Sequence, residues 1–268
     1  MNAANVPRLP GWTRLANVSV PAGMMVIALG IAVGTIGFDQ NHSLQPYSFW
    51  NHATSELGFP FTSPVTWFFN SAVAISALLF VPSSLALLAH WRSRLALLAA
   101  FFGCAGSVAL CGLGLFGLRQ DLLHTAYSFG RFYPIHMAFA DAFFGFWTLS
   151  IALFTLVLIR LDRASRFDPL VLNGTLCCLV FGAFLAAAIH PNLPYAMLRR
   201  DFRHMLDSPP TTAPLLSRWL DSQRPPIFWL TAFEWLWVAC AMCWHGFVLR
   251  FLSRPSLKTP GPAATLIC

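Results

Sequence analysis

Residues 227–250 read IFWLTAFEWLWVACAMCWHGFVLR, and that string decides the fold. It is long enough to cross a hydrocarbon core of ~30 Å as a helix, which takes ~20 apolar residues at ~1.5 Å each. It carries a single acid, Glu234. Working outward, five more runs of the same character lie at about 20–38, 64–89, 95–118, 135–159 and 169–189. Lipid offers backbone N–H and C=O groups no partner but one another, so each run is expected to be a helix. The expectation is an all-α, polytopic membrane protein with six transmembrane helices in one bundle, over residues 19–252. A cytoplasmic segment, 1–18, precedes it, and a disordered cytoplasmic tail, 253–268, follows. The first run lacks a small-x-small cleavage site before Asp39, so it reads as a retained span.

Composition agrees. Of the 268 residues 57% are apolar and only 10% charged, with a mean hydropathy of +0.62. A soluble domain carries roughly a quarter charged residues. The net charge of +7 does not mark a nucleic-acid binder, because the basic residues sit between the apolar runs. They read instead as topological charge and as contacts to anionic headgroups of the surrounding lipids. Lys and Arg favour one side of the six spans by ten to seven. Both termini are therefore expected in the cytoplasm, with the protein in the cell (inner) membrane and the first, third and fifth loops outside.

Several motifs have packing explanations. Cys104, Cys111, Cys177, Cys178, Cys240 and Cys243 lie inside apolar runs and read as small packing residues, Cys240-x-x-Cys243 included. Gly112-x-Gly114-x-x-Gly117 matches a dinucleotide fingerprint in letters only, since it lies within a span with no strand before it. Gly30 and Gly34 form a GxxxG through which another helix can approach closely.

Between the fifth and sixth spans, Tyr195, Leu198, Phe202, Met205 and Leu206 fall on one helical face, opposite Arg199, Arg200, Arg203 and His204. That is the pattern of an amphipathic interfacial segment. It suits a re-entrant cap, a substrate lid with an arginine phosphate clamp, or a surface (191–226) for a second copy or a protein partner.

The remaining polar residues converge on the outer side. Asp141 and Glu234 lie ~10 and ~12 Å below the prolines that open their spans, near His136, His190 and Asn70. The outer loops add Asp39, His42, His52, Ser55, Glu56, Asp121, His124 and Arg131. An acid within a span is expensive enough to count as a functional candidate. Three chemistries fit. His124, His136 and His190 with Asp141 or Glu56 would suit zinc, although no HExxH spacing is present. A His–carboxylate pair would suit metal-free acid/base work. Alternatively, the acids bond to Arg131, Asn70 or indoles and fix helix packing. His136 and Asp141 are five residues apart, ~140° around a helix, and do not share a face.

Three strings, HATSELGFPFTSPVTWFFN (52–70), YPIHMAFADAFF (133–144) and IFWLTAFEWLWVAC (227–240), resemble the six-span prokaryotic membrane proteins of domain-of-unknown-function family 998. More distantly they resemble the Frag1/DRAM/Sfk1 group. The resemblance covers about residues 20–252 and implies motif positions at Ser55, Glu56, Leu57, Gly58, Asn70, His136 and Glu234. The segment between the third and fourth spans is longer than the family's, and 191–226 is an insertion. The distant group is linked to lipid and membrane biology.

The functional expectation is a protein that handles a lipid or lipid precursor. Glu56, His136, Asp141 and Glu234 would form its polar core, and Arg131, Arg199, Arg200 and Arg203 would meet a phosphate. As an enzyme it would hydrolyse or transfer a headgroup, with His136 as base. The alternatives are a non-enzymatic transporter, and an assembly or scaffold protein in which the cluster is structural.

Overall fold

The computed structural model describes residues 11–38, 46–58, 64–123, 129–161, 168–189 and 227–253. They form six long helices: α1 (Gly11–Ile36), α2 (Thr66–Trp91), α3 (Arg94–Leu123), α4 (Phe129–Leu161), α5 (Pro169–Ile189) and α6 (Trp229–Leu252). A short 3-10 helix, η1 (Thr54–Gly58), lies between α1 and α2. There is no strand among the described residues. All six helices are long and apolar enough to cross a bilayer. The protein is an all-α, multi-pass membrane protein.

Local chemistry sets the helix ends. Asp168 accepts a hydrogen bond from Leu170 N–H at 2.9 Å with Pro169 in the first helical position, a pairing suited to a helix start. Ser93 Oγ caps Ala96 N–H at 3.1 Å. Just before it, Arg92 adopts a left-handed backbone (φ 44°) that closes α2 and turns the chain into α3. Two helices overrun their apolar cores. α3 continues to Leu123 and α4 begins at Phe129, so Asp121 and Arg131 stand on helices rather than in a loop. Leu118–Leu123 contains Leu, Arg and Gln, good helix formers that carry a helix past the hydrocarbon. α1 likewise begins at Gly11, well before the apolar run.

Consecutive helices pack side by side, and α6 returns to touch α1 and α2. Small residues let the neighbours close. A Cβ on Gly30 would lie 2.5 Å from Ala72 Cβ, and one on Gly114 would lie 2.5 Å from Asn70 O. One on Gly112 would meet the Phe139 ring at 2.5 Å. The Gly112–Gly117 string is thus a packing seam. Large rings fill the centre between α2, α4 and α6. Trp147 lies 5.5 Å from Phe80 and 6.4 Å from Trp237, while Phe154 stacks on Trp244 at 6.1 Å. The indoles of Trp147 and Trp237 donate to Ser107 Oγ and Thr148 Oγ1. Leu29, Leu78, Phe101, Val108, Leu149 and Leu179 face outward. Apolar exposure on that scale fits a lipid-facing surface.

Candidate functional site

Between α1 and α2, the described part of the chain lies over the end of the bundle that carries the N-termini of α2, α4 and α6. Residues 46–58 form a cap, pinned on two sides. On the α6 side, Trp50 O accepts from Phe228 N–H (2.8 Å) and from Thr231 Oγ1 (3.3 Å). His52 O accepts from the Trp235 indole (3.1 Å). Thr54 donates both its N–H (3.1 Å) and its hydroxyl to Glu234 Oε1. On the α2 side, Asn70 Nδ2 donates to Gly58 O at 3.0 Å.

Each letter of Glu56-Leu57-Gly58 has a physical reason. Glu56 Oε1 accepts from Ala53 N–H at 2.9 Å, closing the first turn of η1 as an acid at a helix start does. Leu57 is fully buried and sits over Gly34, where an added Cβ would lie 3.3 Å from Leu57 Cβ. Gly58 leaves room for Asn70, whose Oδ1 would lie 2.5 Å from a Cβ there. The GxxxG of α1 therefore receives two elements, Ala72 of α2 at Gly30 and Leu57 of the cap at Gly34.

Two carboxylates take two consecutive backbone N–H groups. Glu56 takes the N–H of Ala53 and Glu234 takes the N–H of Thr54. Beside them, Ser48 N–H donates to the buried His52 Nδ1 at 3.2 Å, and the Asn51 amide lies 2.6 Å from the same nitrogen. Tyr47, Phe49 and Trp235 pack edge-on with centroids 4.7 to 6.4 Å apart.

On the other side of η1 a small cavity, with room for one water-sized group, lies between α2, α3 and α4. Its polar wall is Asn70, His136 and the backbone of Gly58, and its apolar wall is Phe69, Val73 and Leu113. Both polar side chains are buried. Gly117 of α3 abuts the Asn70 amide, which a Cβ there would strike at 2.5 Å. Exposed Phe49, Trp50, Trp67 and Trp229 ring this end of the bundle, as aromatics do at a membrane interface. Glu234 follows Trp229 by five residues and Asn70 follows Trp67 by three. They lie ~7.5 and ~4.5 Å below that ring at ~1.5 Å per residue.

Of the residues singled out from sequence, Glu56 and Glu234 meet at the cap and His136 borders the cavity with Asn70. Asp141 is exposed on the outer face of α4, while His136, five residues earlier, is buried. Arg199, Arg200, Arg203, His124 and His190 lie outside the described residues, as does the amphipathic segment as a whole; for Ser55 and Arg131 the backbone alone is described. Among the described residues no group of three or more His, Cys, Asp or Glu gathers as a metal site would need. The described cysteines are free thiols, with Cys240 buried and Cys243 exposed. Thr54, the partner of Glu234, had a local signal: a hydroxyl residue opening a turn two positions before an acid. Its link to α6 had none.

No family model, curated protein or solved structure matches the chain.

Proposed function

We propose that this membrane protein handles a lipid or lipid precursor at its capped end, which faces outward from the cell (inner) membrane. The observation that supports the reading is the level at which the polar groups gather. Glu56, Asn70, His136 and Glu234 lie at or just beneath a ring of exposed aromatics, the depth at which headgroups sit. His136 is the residue with acid/base capacity beside the cavity. Arg131 at the start of α4 and Arg199, Arg200 and Arg203 between the fifth and sixth spans would meet the phosphate, and any hydrolysis or group transfer uses His136 as base. The resemblance to family 998, and through it to a lipid-linked group, points the same way.

A second reading draws on one specific observation. Glu234 and Asn70 both bond to the cap itself, which favours a structural role for these two in an assembly or scaffold protein. One experiment separates the readings. Protein extracted into native-lipid nanodiscs is expected to carry a lipid or precursor enriched over the bulk membrane by mass spectrometry. His136→Ala is expected to lose that enrichment while remaining monodisperse. Bulk lipid composition around the wild-type protein would sink the lipid-handling reading and leave the structural one.

A further inference from the structure

We infer that the cavity beside η1 is a subsite for a primary ammonium group, so that the headgroup handled at this end is an aminolipid. The inference rests on the lipid-handling reading and names its substrate class. Three observations support it.

The first is size. The cavity has room for one water-sized group, which fits an –NH3⁺ but neither a phosphate nor a trimethylammonium. Nor can it widen cheaply. Gly58 and Gly117 already approach the Asn70 amide so closely that a Cβ on either would lie 2.5 Å from it, and Phe69 and Val73 on the apolar wall are buried.

The second is hydrogen-bond sense. Asn70 turns Nδ2 to Gly58 O at 3.0 Å, which orients the amide and sets Oδ1 between the two glycines. The polar wall thus contains a side-chain carbonyl, a backbone carbonyl that accepts from Asn70, and an imidazole, while the Asn70 N–H donor is turned to Gly58. That set is rich in acceptors, whereas a phosphate needs donors.

The third is charge. Glu56 stands within η1, two residues from Gly58, and Glu234 bonds to its first residue, four residues from Gly58, or about 4 and 8 Å at the ~2.0 Å rise of a 3-10 helix. Residues 39–63 contain no Lys or Arg. At the low effective dielectric of a membrane-embedded site, a carboxylate at that distance favours a cation and opposes an anion. Phosphatidylethanolamine also fits the molecule as a whole. Its ammonium would enter the cavity, and its phosphate, a few bonds away, would stay near the interface.

The test compares phosphatidylethanolamine with phosphatidylcholine, which share phosphate and net charge and differ in N–H donors and headgroup size. The full-length protein is placed in nanodiscs containing equal amounts of the two lipids plus phosphatidic acid, and retained lipid is counted by native mass spectrometry. Wild-type protein is expected to retain phosphatidylethanolamine over phosphatidylcholine by about fivefold, the factor of one good hydrogen bond. Gly117→Ala, and independently Val73→Leu in case the first variant fails to fold, are expected to bring the ratio to about one by filling the cavity. Equal retention of the two zwitterionic lipids by wild-type protein, or a preference that survives both variants, would overturn the subsite. Preferred retention of phosphatidic acid alone would overturn it too while leaving lipid handling standing. Retention of all three lipids at bulk proportions would remove both.

Discussion

At Glu234 the cap and the last helix meet through one oxygen. Oε1 accepts both the N–H and the hydroxyl of Thr54, a geometry that the amide oxygen of Gln reproduces. Glu234→Gln is therefore expected to leave the folded state near wild-type stability. Glu234→Ala strands the Thr54 donors at a part-buried site and is expected to cost about 1–3 kcal/mol. Equilibrium unfolding of the detergent-solubilised protein, followed by tryptophan fluorescence, reads both. If Gln proves as damaging as Ala, the residue matters for its charge, and the anchoring account of it fails. His245 offers a contrast within the same helix. It is buried, stacks on Phe80 at 4.6 Å and lies 3.1 Å from Ser83 Oγ, so a polar residue deep in this bundle serves packing between α2 and α6.

Among the elements, α1 is the least buried of the six helices, and its hold on the bundle runs through glycines. Gly30 admits Ala72, and Gly34 admits Leu57. Gly30→Leu would drive a branched side chain into the α2 surface and is expected to destabilise the protein by about 1–3 kcal/mol. Ala28→Leu, on the exposed side of the same helix, is expected to change little. Unfolding midpoints of the two variants, measured side by side, check the contact. Equal effects would mean that the seam does not hold α1.

The same scale shows what the sequence could and could not tell. The helices were legible because a span must be apolar along its whole length. Their ends were not, because Leu118–Leu123 and Phe129–Pro134 extend a helix with residues whose hydropathy says nothing of secondary structure. Depth along a helix can be counted from a proline or tryptophan, as for Glu234. Azimuth cannot, because a helix apolar all round hides its inward face. Spacing alone separates Asp141 from His136 by ~140° but does not say which of the two faces inward; the structure buries His136 and exposes Asp141. The cap was the least legible part. Its decisive contact joins Thr54 to a residue 180 positions away, and no local pattern encodes such a pairing.

Six spans among the described residues put the start of α1 and the end of α6 on one side of the bundle, and which side that is becomes a question of charge. Lys and Arg favour the side of the termini and of the His90–Arg94 turn by ten to seven, and five of the opposing seven belong to the long segment 190–226, which weighs less in setting orientation. The cap and the α2–α3 turn lie at opposite ends of α2, whose 26 residues span ~39 Å at ~1.5 Å each, so one reagent can tell them apart. In a background with the native cysteines replaced, Phe49→Cys on the exposed face of the cap should react with a membrane-impermeant maleimide applied to intact cells. Arg94→Cys, exposed at the other end, should react only after permeabilisation. The reverse pattern would invert the protein in its membrane. The carboxylates, the His136 cavity and the aromatic ring would then serve the cytoplasmic leaflet, and the lipid on offer to them would be the cell's newly made pool rather than its outer surface.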